Sequence, residues 1–151
     1  MNNNCNHKDI SEILNEYLAN LKVLNNNLYN LHFNVVGSDF FQVHLKMQEY
    51  YEKTAIMYDD IAERIKMLGS YPITSLNTYE QRSTIKSMLS QDYSIKQVFE
   101  VVVNDFSYML EFSNALYVYA NEINDANTAD LMLDNIKFFE KQLWMLNASL
   151  K

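Results

Sequence analysis

Apolar residues recur along most of the chain every three or four positions, which is the period of an α-helix with one buried face. Four such segments are separated by polar breaks. The first is predicted to begin around Asp9 and Glu12, and the second to run from about Phe40 to Leu68. The third begins at Ser94, which is placed to form a capping box with Gln97, and the fourth follows the polar sequence "NDANTAD". The pattern predicts four long amphipathic helices.

The connections between these helices differ in length. Gly37 and Ser38 are expected to end the first helix and cap the second, and Gly69 with Pro72 to stop the second. Residues 70–93 form a long connection, with one short helix expected around Leu76 to Arg82. A connection of this length lets the chain cross over before the third helix. The predicted fold is an all-α four-helix bundle with one crossover.

The second helix is apolar on two sides. Its main stripe is expected to face the bundle and consists of Val43, Met47, Tyr50, Tyr51, Thr54, Tyr58, Ile61, Ile65 and Leu68. The opposite side carries Phe41, Leu45, Ala55 and Ile56 together with Asp59 and Glu63. A helix with two apolar sides packs on both, so the second side is predicted to face another subunit. The two acids are then either a solvated pair near Arg64 or Lys66, or ligands of a shared cation.

Composition supports one soluble helical domain. Hydrophobic residues make up 48% of the chain, while two glycines and one proline are too few for a fold rich in turns. The domain is expected to span residues 9–151, after a flexible polar tail of residues 1–8. A single cysteine excludes an internal disulfide framework. The sequence has neither an apolar run long enough for a bilayer nor a signal peptide, so the expected location is the cytoplasm.

The charge pattern bears on partners. A net charge of -7 disfavours binding to nucleic acid phosphates and is compatible with gathering cations. The tail has one lysine, Lys8, so direct DNA binding is not expected. Cys5 and His7 form a short soft-metal cluster in that tail, for which simple exposure is the competing explanation. The eleven tyrosines and eight methionines are interpreted as core and interface packing.

Two histidines flank the first turn. His32 lies near the end of the first helix and His44 near the start of the second, so the hairpin places them at one end of the bundle, as packing residues or as ligands. His44 and Asp59 are fifteen residues apart, or about 22 Å along a helix. Metal–ligand bonds are about 2 Å, so the histidines and acids of one chain cannot share an ion. Either the two pairs are unrelated, or an antiparallel second copy brings them together across a two-fold axis. Such a set suits iron(II), and also zinc or manganese.

The segments "LHFNVVGSDFFQVH" and "YDDIAERIKMLGSYP" resemble the Dps-type mini-ferritins, the DNA-protection-in-starvation family. The shared pattern is a histidine followed by an asparagine, a glycine, a phenylalanine, a second histidine and D-x-x-A-E-R. The residues that match it in register are His32, Asn34, Gly37, Phe40, His44, Asp59, Ala62, Glu63 and Arg64. The tail "KQLWMLNASL" also resembles the last helix of the family, so the resemblance covers almost the whole chain after residue 8.

The resemblance implies a ferritin-like four-helix bundle with a short extra helix, assembled as a hollow shell of twelve chains. It implies a ferroxidase centre in which His32 and His44 of one chain face Asp59 and Glu63 of a two-fold partner. Iron(II) is expected to be oxidised there, preferably by hydrogen peroxide, and stored as ferric mineral, which protects the cell from oxidative damage. Zinc or another divalent metal is an expected competitor for the same site.

Two departures from the family pattern, and one pair of acids near its pore position, bear on this expectation. Gln48, with Glu49 beside it, stands where the family commonly has an acid one turn after the second histidine, and an amide is a weaker ligand for a hard metal ion. Phe33 replaces the usual tryptophan. At the start of the last helix, where the family lines its three-fold pores with acids, Asp130 is retained and Asp125 lies nearby. The two are a candidate cation entry, although capping of that helix explains Asp125 equally well. The alternative function is therefore a cage with an impaired centre, acting as a metal-binding or DNA-protecting stress protein.

Overall fold

The computed structural model describes the backbone from residue 3 to residue 151 and the side chains from Ile10 onward. Helices and short strands follow in the order α1 (Asn3–Asn34), β1 (Val35–Val36), α2 (Phe40–Met67), α3 (Leu76–Arg82), β2 (Tyr93–Ser94), α4 (Ile95–Glu122) and α5 (Ala126–Ser149). The predicted all-α bundle of four long helices is confirmed. The short helix predicted in the long connection is present as α3.

The bundle consists of two helical hairpins. Helix α1 packs along α2, and α4 packs along α5, while α1 also contacts α3 and α4. Large side chains that are fully buried between the long helices include Tyr17, Leu21, Met47, Phe106 and Phe139. The main stripe predicted for α2 faces this core, with Met57 as an additional buried member. No helix in the described part of the chain is long and apolar enough to cross a membrane.

The first helix begins earlier than its sequence pattern indicates. Helix α1 starts at Asn3, whereas the predicted start was near Asp9. Residues 1 and 2, and the side chains up to residue 9, lie outside what the structure describes. The flexible tail and the soft-metal cluster of Cys5 and His7 therefore stay predictions.

The turn between α1 and α2 differs from its prediction in one respect. Asp39, and not Ser38, occupies the N-cap position of α2, and its side chain makes no capping hydrogen bond. Gly37 has a φ of 135°, and a Cβ there would lie 3.0 Å from the Ile95 side chain, so both the backbone angle and the space favour glycine. The turn is tied to the start of α4 because β1 and β2 pair in parallel, Val35 with Tyr93. Ser94 and Gln97 form the predicted capping box at that start.

Asparagine side chains on α1 hold the long crossover against the bundle. Each uses its amide to bind main-chain atoms of residues 71–89. Asn15 binds Tyr71 and Ile73, Asn20 binds Thr84 and Ile85, Asn27 binds Lys86 and Met88, and Asn30 binds Met88 and Leu89. The crossover has only seven helical residues of its own, so these amides satisfy backbone groups that a regular element would otherwise pair.

Candidate metal centre

The two histidines at the first turn contact each other face to face. The rings of His32 and His44 stack with their centroids 3.6 Å apart and an interplanar angle of 21°. His32 is 7% exposed, and His44 is half-buried. The hairpin therefore brings together the two residues that the sequence placed at one end of the bundle.

A reciprocal pair of hydrogen bonds fixes the orientation of both rings. Nδ1 of His32 lies 2.7 Å from the carbonyl oxygen of His44, and Nδ1 of His44 lies 2.8 Å from the carbonyl oxygen of His32. A carbonyl oxygen only accepts, so each Nδ1 carries the hydrogen and donates. In the neutral ring this leaves the lone pair on Nε2, which is the atom a metal ion binds. Main-chain atoms thus hold both imidazoles in the tautomer that a ligand requires.

Aromatic rings surround the histidine pair. Tyr51 and Phe33 both contact the His32 ring in T-shaped arrangements, with centroids 5.2 Å and 5.3 Å away, and Phe40 stacks on His44 at 5.1 Å. Tyr29 stacks on Tyr51. The contact between Tyr51 and His32 was not predicted, although Tyr51 follows His44 by two helical turns and so lies on nearly the same side of α2.

The amide at position 48 is engaged with a neighbouring carboxylate. Gln48 donates a hydrogen bond of 2.8 Å from its side-chain nitrogen to Glu52. Glu52 lies one turn farther along α2 and is exposed. The carboxylate of Glu52 therefore lies one turn beyond the family's acidic position, and the Gln48 amide partly compensates its charge.

Asp59 and Glu63 lie away from the histidines of their own chain. Both are exposed on α2, the same continuous helix that carries His44 near its other end. Within residues 10–151 of a single chain, no three His, Cys, Asp or Glu side chains form a group that could hold a metal ion. The structure therefore joins the two histidines and leaves the two acids apart from them.

Arg64 and Lys66, which the sequence suggested as partners of Asp59 and Glu63, interact with other residues. Arg64 donates to Asp125 at 2.7 Å and to the Thr128 hydroxyl at 2.9 Å, and Lys66 lies over the Tyr71 ring at 4.1 Å. In the described part of the chain, neither acid forms an ion pair. Neither Arg64 nor Lys66 therefore supplies a counter-charge to the two acids within one chain.

Asp125 caps the start of the last helix, α5. It is buried, accepts from the Thr128 backbone at 3.1 Å as the N-cap of α5, and pairs with Arg64. Burial alone would raise its pKa, but the hydrogen bonds from Thr128 and the charge of Arg64 outweigh burial and hold the pKa below its usual value. Of the two explanations for Asp125, capping is the one observed. Asp130 is exposed and lines an open groove with Asp60, Glu63 and Asp134.

One side of α2 exposes large apolar side chains, which we call the outer face and define as Phe41, Leu45, Ala55 and Ile56. Phe41 is 79% exposed, Leu45 is 59% exposed and Ile56 is 56% exposed. At 100° per residue these positions share one side of the helix with Gln48, Glu52, Asp59 and Glu63. An apolar strip of this kind, rimmed by polar groups, is typical of a surface that another protein covers.

Comparison with known proteins places this geometry in a class. The family model of the ferritin-like domain matches residues 11–151, so the chain is a ferritin-like protein. It is 33% identical over 139 residues to the DNA protection during starvation protein of Helicobacter pylori, which covers 92% of this chain and 96% of that relative. It is 34% identical over 145 residues to DNA protection during starvation protein 2 of Bacillus anthracis, covering 95% and 98% of the two chains.

A solved structure supports the same assignment. The Dps protein of Vibrio cholerae O1, described as a member of a broad superfamily of ferritin-like diiron-carboxylate proteins, matches with a TM-score of 0.95 and 32% identity, covering 98% of this chain and 92% of that one. The chain therefore belongs to the Dps family. This confirms the ferritin-like bundle implied by the sequence resemblance.

Proposed function

We propose that the protein oxidises iron(II) at sites shared between two subunits, with hydrogen peroxide as the oxidant, and stores the ferric product inside a hollow shell of twelve chains. Two iron(II) ions each give one electron, and one peroxide molecule is reduced to two hydroxide ions. Removing both reagents together protects a cell from hydroxyl radicals. The proposal includes a cytoplasmic location, and a flexible tail of residues 1–8 before the bundle.

The observation that carries the proposal is the histidine pair with both Nδ1 atoms bonded to main-chain carbonyls. Packing alone requires neither the reciprocal hydrogen bonds nor a shared tautomer. Two preset Nε2 atoms supply imidazole ligands, which suit iron(II) when carboxylates complete the set. His32 and His44 would hold the metal ion from one chain, and Asp59 and Glu63 of the partner subunit would hold it from the other.

The outer face of α2 explains how the two halves meet. His44 and position 61, midway between Asp59 and Glu63, lie equally far from a point next to Glu52. A two-fold axis crossing α2 near Glu52 therefore brings His44 beside the acids of an antiparallel copy. The same axis buries Phe41, Leu45 and Ile56 against α2 of the partner subunit. The same antiparallel pairing of two α2 helices thus buries the exposed apolar area and completes the metal site.

This arrangement gives Gln48 a role. Near the axis Glu52 approaches Glu52 of the partner subunit, and like charges repel. The hydrogen bond from Gln48 to Glu52 offsets part of that charge, whereas an acid at position 48 would add to it. The amide therefore favours pairing at the expense of one metal ligand.

The variants Glu63→Gln and His44→Ala test the proposal, with Glu111→Gln on α4 as a matched control for the loss of an exposed carboxylate. Each protein is mixed with iron(II) without oxygen, and ferric absorbance is followed after peroxide is added. We expect both site variants to lose at least the roughly tenfold that removal of an outer ligand partner costs at metal sites. Light scattering should show the same assembly for all proteins.

Two results would contradict the proposal. Equal iron oxidation in the parent and both site variants would mean that the centre is misassigned. Equal oxidation with and without the parent protein would favour the alternative that Gln48 motivates, a cage with an impaired centre that binds metal without turning it over. The direct DNA binding suggested by the relatives' names is not part of the proposal, because the net charge is -7.

A further inference from the structure

A pair of tyrosines forms a contact path that leads away from the histidines. The rings of Tyr29 on α1 and Tyr51 on α2 stack with centroids 3.9 Å apart and an interplanar angle of 13°. Tyr51 in turn contacts His32 in a T-shaped arrangement with centroids 5.2 Å apart. The two phenols are thus in van der Waals contact with each other, and one of them is in contact with a proposed metal ligand.

The hydroxyl groups of this pair differ from those of the tyrosines that serve packing. Tyr17, Tyr50 and Tyr93 hydrogen bond through their hydroxyl groups to Ser113, Gln142 and Leu89, respectively. In the described part of the chain, the hydroxyls of Tyr29 and Tyr51 have no such partner, and Tyr29 is 38% exposed. A phenol that gives up an electron also loses its hydroxyl proton, and water can accept that proton at the exposed Tyr29.

The chemistry of the proposed site creates a need for an electron donor. Peroxide takes up two electrons, whereas one iron(II) ion gives one. Gln48 provides a weak ligand where a second carboxylate would strengthen the second metal position. Whenever the site holds only one iron ion, it needs a second electron from the protein, or it releases a hydroxyl radical.

We propose that Tyr51 supplies this second electron and that Tyr29 and Tyr51 become joined by a carbon–carbon bond, an inference that rests on the proposed function. One iron(II), one peroxide and one tyrosine give iron(III), one water, one hydroxide and one tyrosyl radical. The radical equilibrates between the stacked rings. When a second such event oxidises the other ring, the two radicals couple at ring carbons next to the hydroxyl-bearing carbons. Both hydroxyls then regain hydrogen from those ring carbons, and the pair has lost two hydrogen atoms overall.

The link has a defined place in the fold. It joins α1 to α2 directly beside the histidine pair, so it fixes the hairpin that positions both imidazoles. It also consumes oxidising equivalents at a site where no catalytic ligand is lost. The tyrosine pair is therefore both an electron donor for the metal site and the site of a covalent modification.

The test combines two readouts on the whole assembly. The parent, Tyr51→Phe, Tyr29→Phe, Tyr50→Phe and His44→Ala proteins receive two successive additions of one iron(II) per chain without oxygen, each followed by peroxide, because the link requires two oxidation events at each tyrosine pair. Ferric absorbance reports iron oxidation. After trypsin, which cleaves after Lys22, Lys46 and Lys53, mass spectrometry reports whether residues 23–46 and 47–53 are joined with the loss of two hydrogen atoms. Tyr50→Phe is the matched control, because Tyr50 lies in the same peptide but faces Phe106 in the core.

We expect the joined peptides in the parent and in Tyr50→Phe, and their loss in Tyr51→Phe and Tyr29→Phe, while all four proteins still oxidise iron. Methionine oxidation should rise in Tyr51→Phe, because the second oxidising equivalent then reaches other side chains. Normal iron oxidation without the joined peptides in the parent overturns the inference and leaves the proposed function standing. Equal joining in His44→Ala also overturns it, because radicals in bulk solution would then be the cause. If the parent protein oxidises no iron, the proposed function and this inference fail together.

Discussion

Asp105 is an acid held in an unfavourable environment. It lies on α4 with most of its carboxyl group buried, and burial raises its pKa to about 6, although a hydrogen bond with the Asn27 side chain opposes the shift. Its pKa in the unfolded chain is near the ordinary aspartate value of 3.8. The group therefore favours the folded state while it is protonated. Its contribution is present at acid pH and is lost as the pH rises through about 6.

The variant Asp105→Asn tests this sign. At about pH 8 we expect it to raise the free energy of unfolding by about 1–3 kcal/mol relative to the parent, because the buried charge is removed. Near pH 4 the gain should nearly vanish. Urea unfolding at both pH values measures the difference, and Asp92→Asn in the exposed crossover serves as the control. A gain that is the same at both pH values would contradict the assigned titration.

The sequence indicates which residues carry the site but not how they are held. The spacing around Gly37 was enough to predict that His32 and His44 lie at one end of the bundle. The reciprocal hydrogen bonds depend on ring rotamers and on two carbonyl directions, which no side-chain pattern encodes. The pairing of Arg64 with Asp125 was missed for a similar reason, since it joins residues far apart in sequence that only the packed hairpins bring together.

At the scale of the elements, the crossover is attached to α1 by specific hydrogen bonds. Asn20 is fully buried, and its oxygen accepts from the backbone nitrogens of Thr84 and Ile85, both at 3.0 Å. Its own nitrogen donates to the Glu16 carbonyl. Since Ile85 is itself buried, its backbone nitrogen has no access to bulk water in place of this acceptor.

We expect Asn20→Ala to lower the free energy of unfolding by about 1–3 kcal/mol, which is the cost of leaving buried donors unpaired. Asn26→Ala is the matched control, because Asn26 is exposed on the same helix and the gain in helix propensity is the same. Urea denaturation compares the two variants, and hydrogen exchange at Ile85 localises the effect. Equal stability of both variants would show that the amide contacts do not hold the crossover.

Helix periodicity predicted the four long helices and α3, because each buries one face and repeats at 3.6 residues. It made no prediction for the asparagines of α1, whose polar side chains interrupt an apolar stripe. Their hydrogen-bond partners lie 56 to 65 residues away in the sequence. Polar residues in a core-facing stripe are a usable signal of such a contact, but they do not identify the partner.

At the scale of the whole molecule, the outer face of α2 is an apolar surface that remains exposed in a single chain. Its apolar members flank Gln48 and Glu52, so pairing must bury both apolar area and charge. The prediction from two-sided periodicity agrees with this exposure. An exposed apolar face indicates that another protein covers it, but the pattern of one chain does not identify that protein.

A double variant, Leu45→Lys with Ile56→Lys, tests the pairing. We expect an intact helical chain that no longer associates through α2, and a loss of iron oxidation, because each half of the site then lacks the other. Leu76→Lys on α3 is the control, since Leu76 is 75% exposed and lies outside the outer face. Light scattering, circular dichroism and ferric absorbance are the measurements. An unchanged assembly that still oxidises iron would place the interface elsewhere.

The asparagines of α1 have one more consequence. Apart from the Ser83 hydroxyl, which donates to Asn20, they bind carbonyl and amide groups of the crossover, which do not depend on the identity of the side chain. Substitutions at the exposed positions of that segment should therefore have little effect on the route of the chain while these asparagines are kept. The exposed side chains of the crossover can then change the chemistry of the outer surface without a change in the bundle.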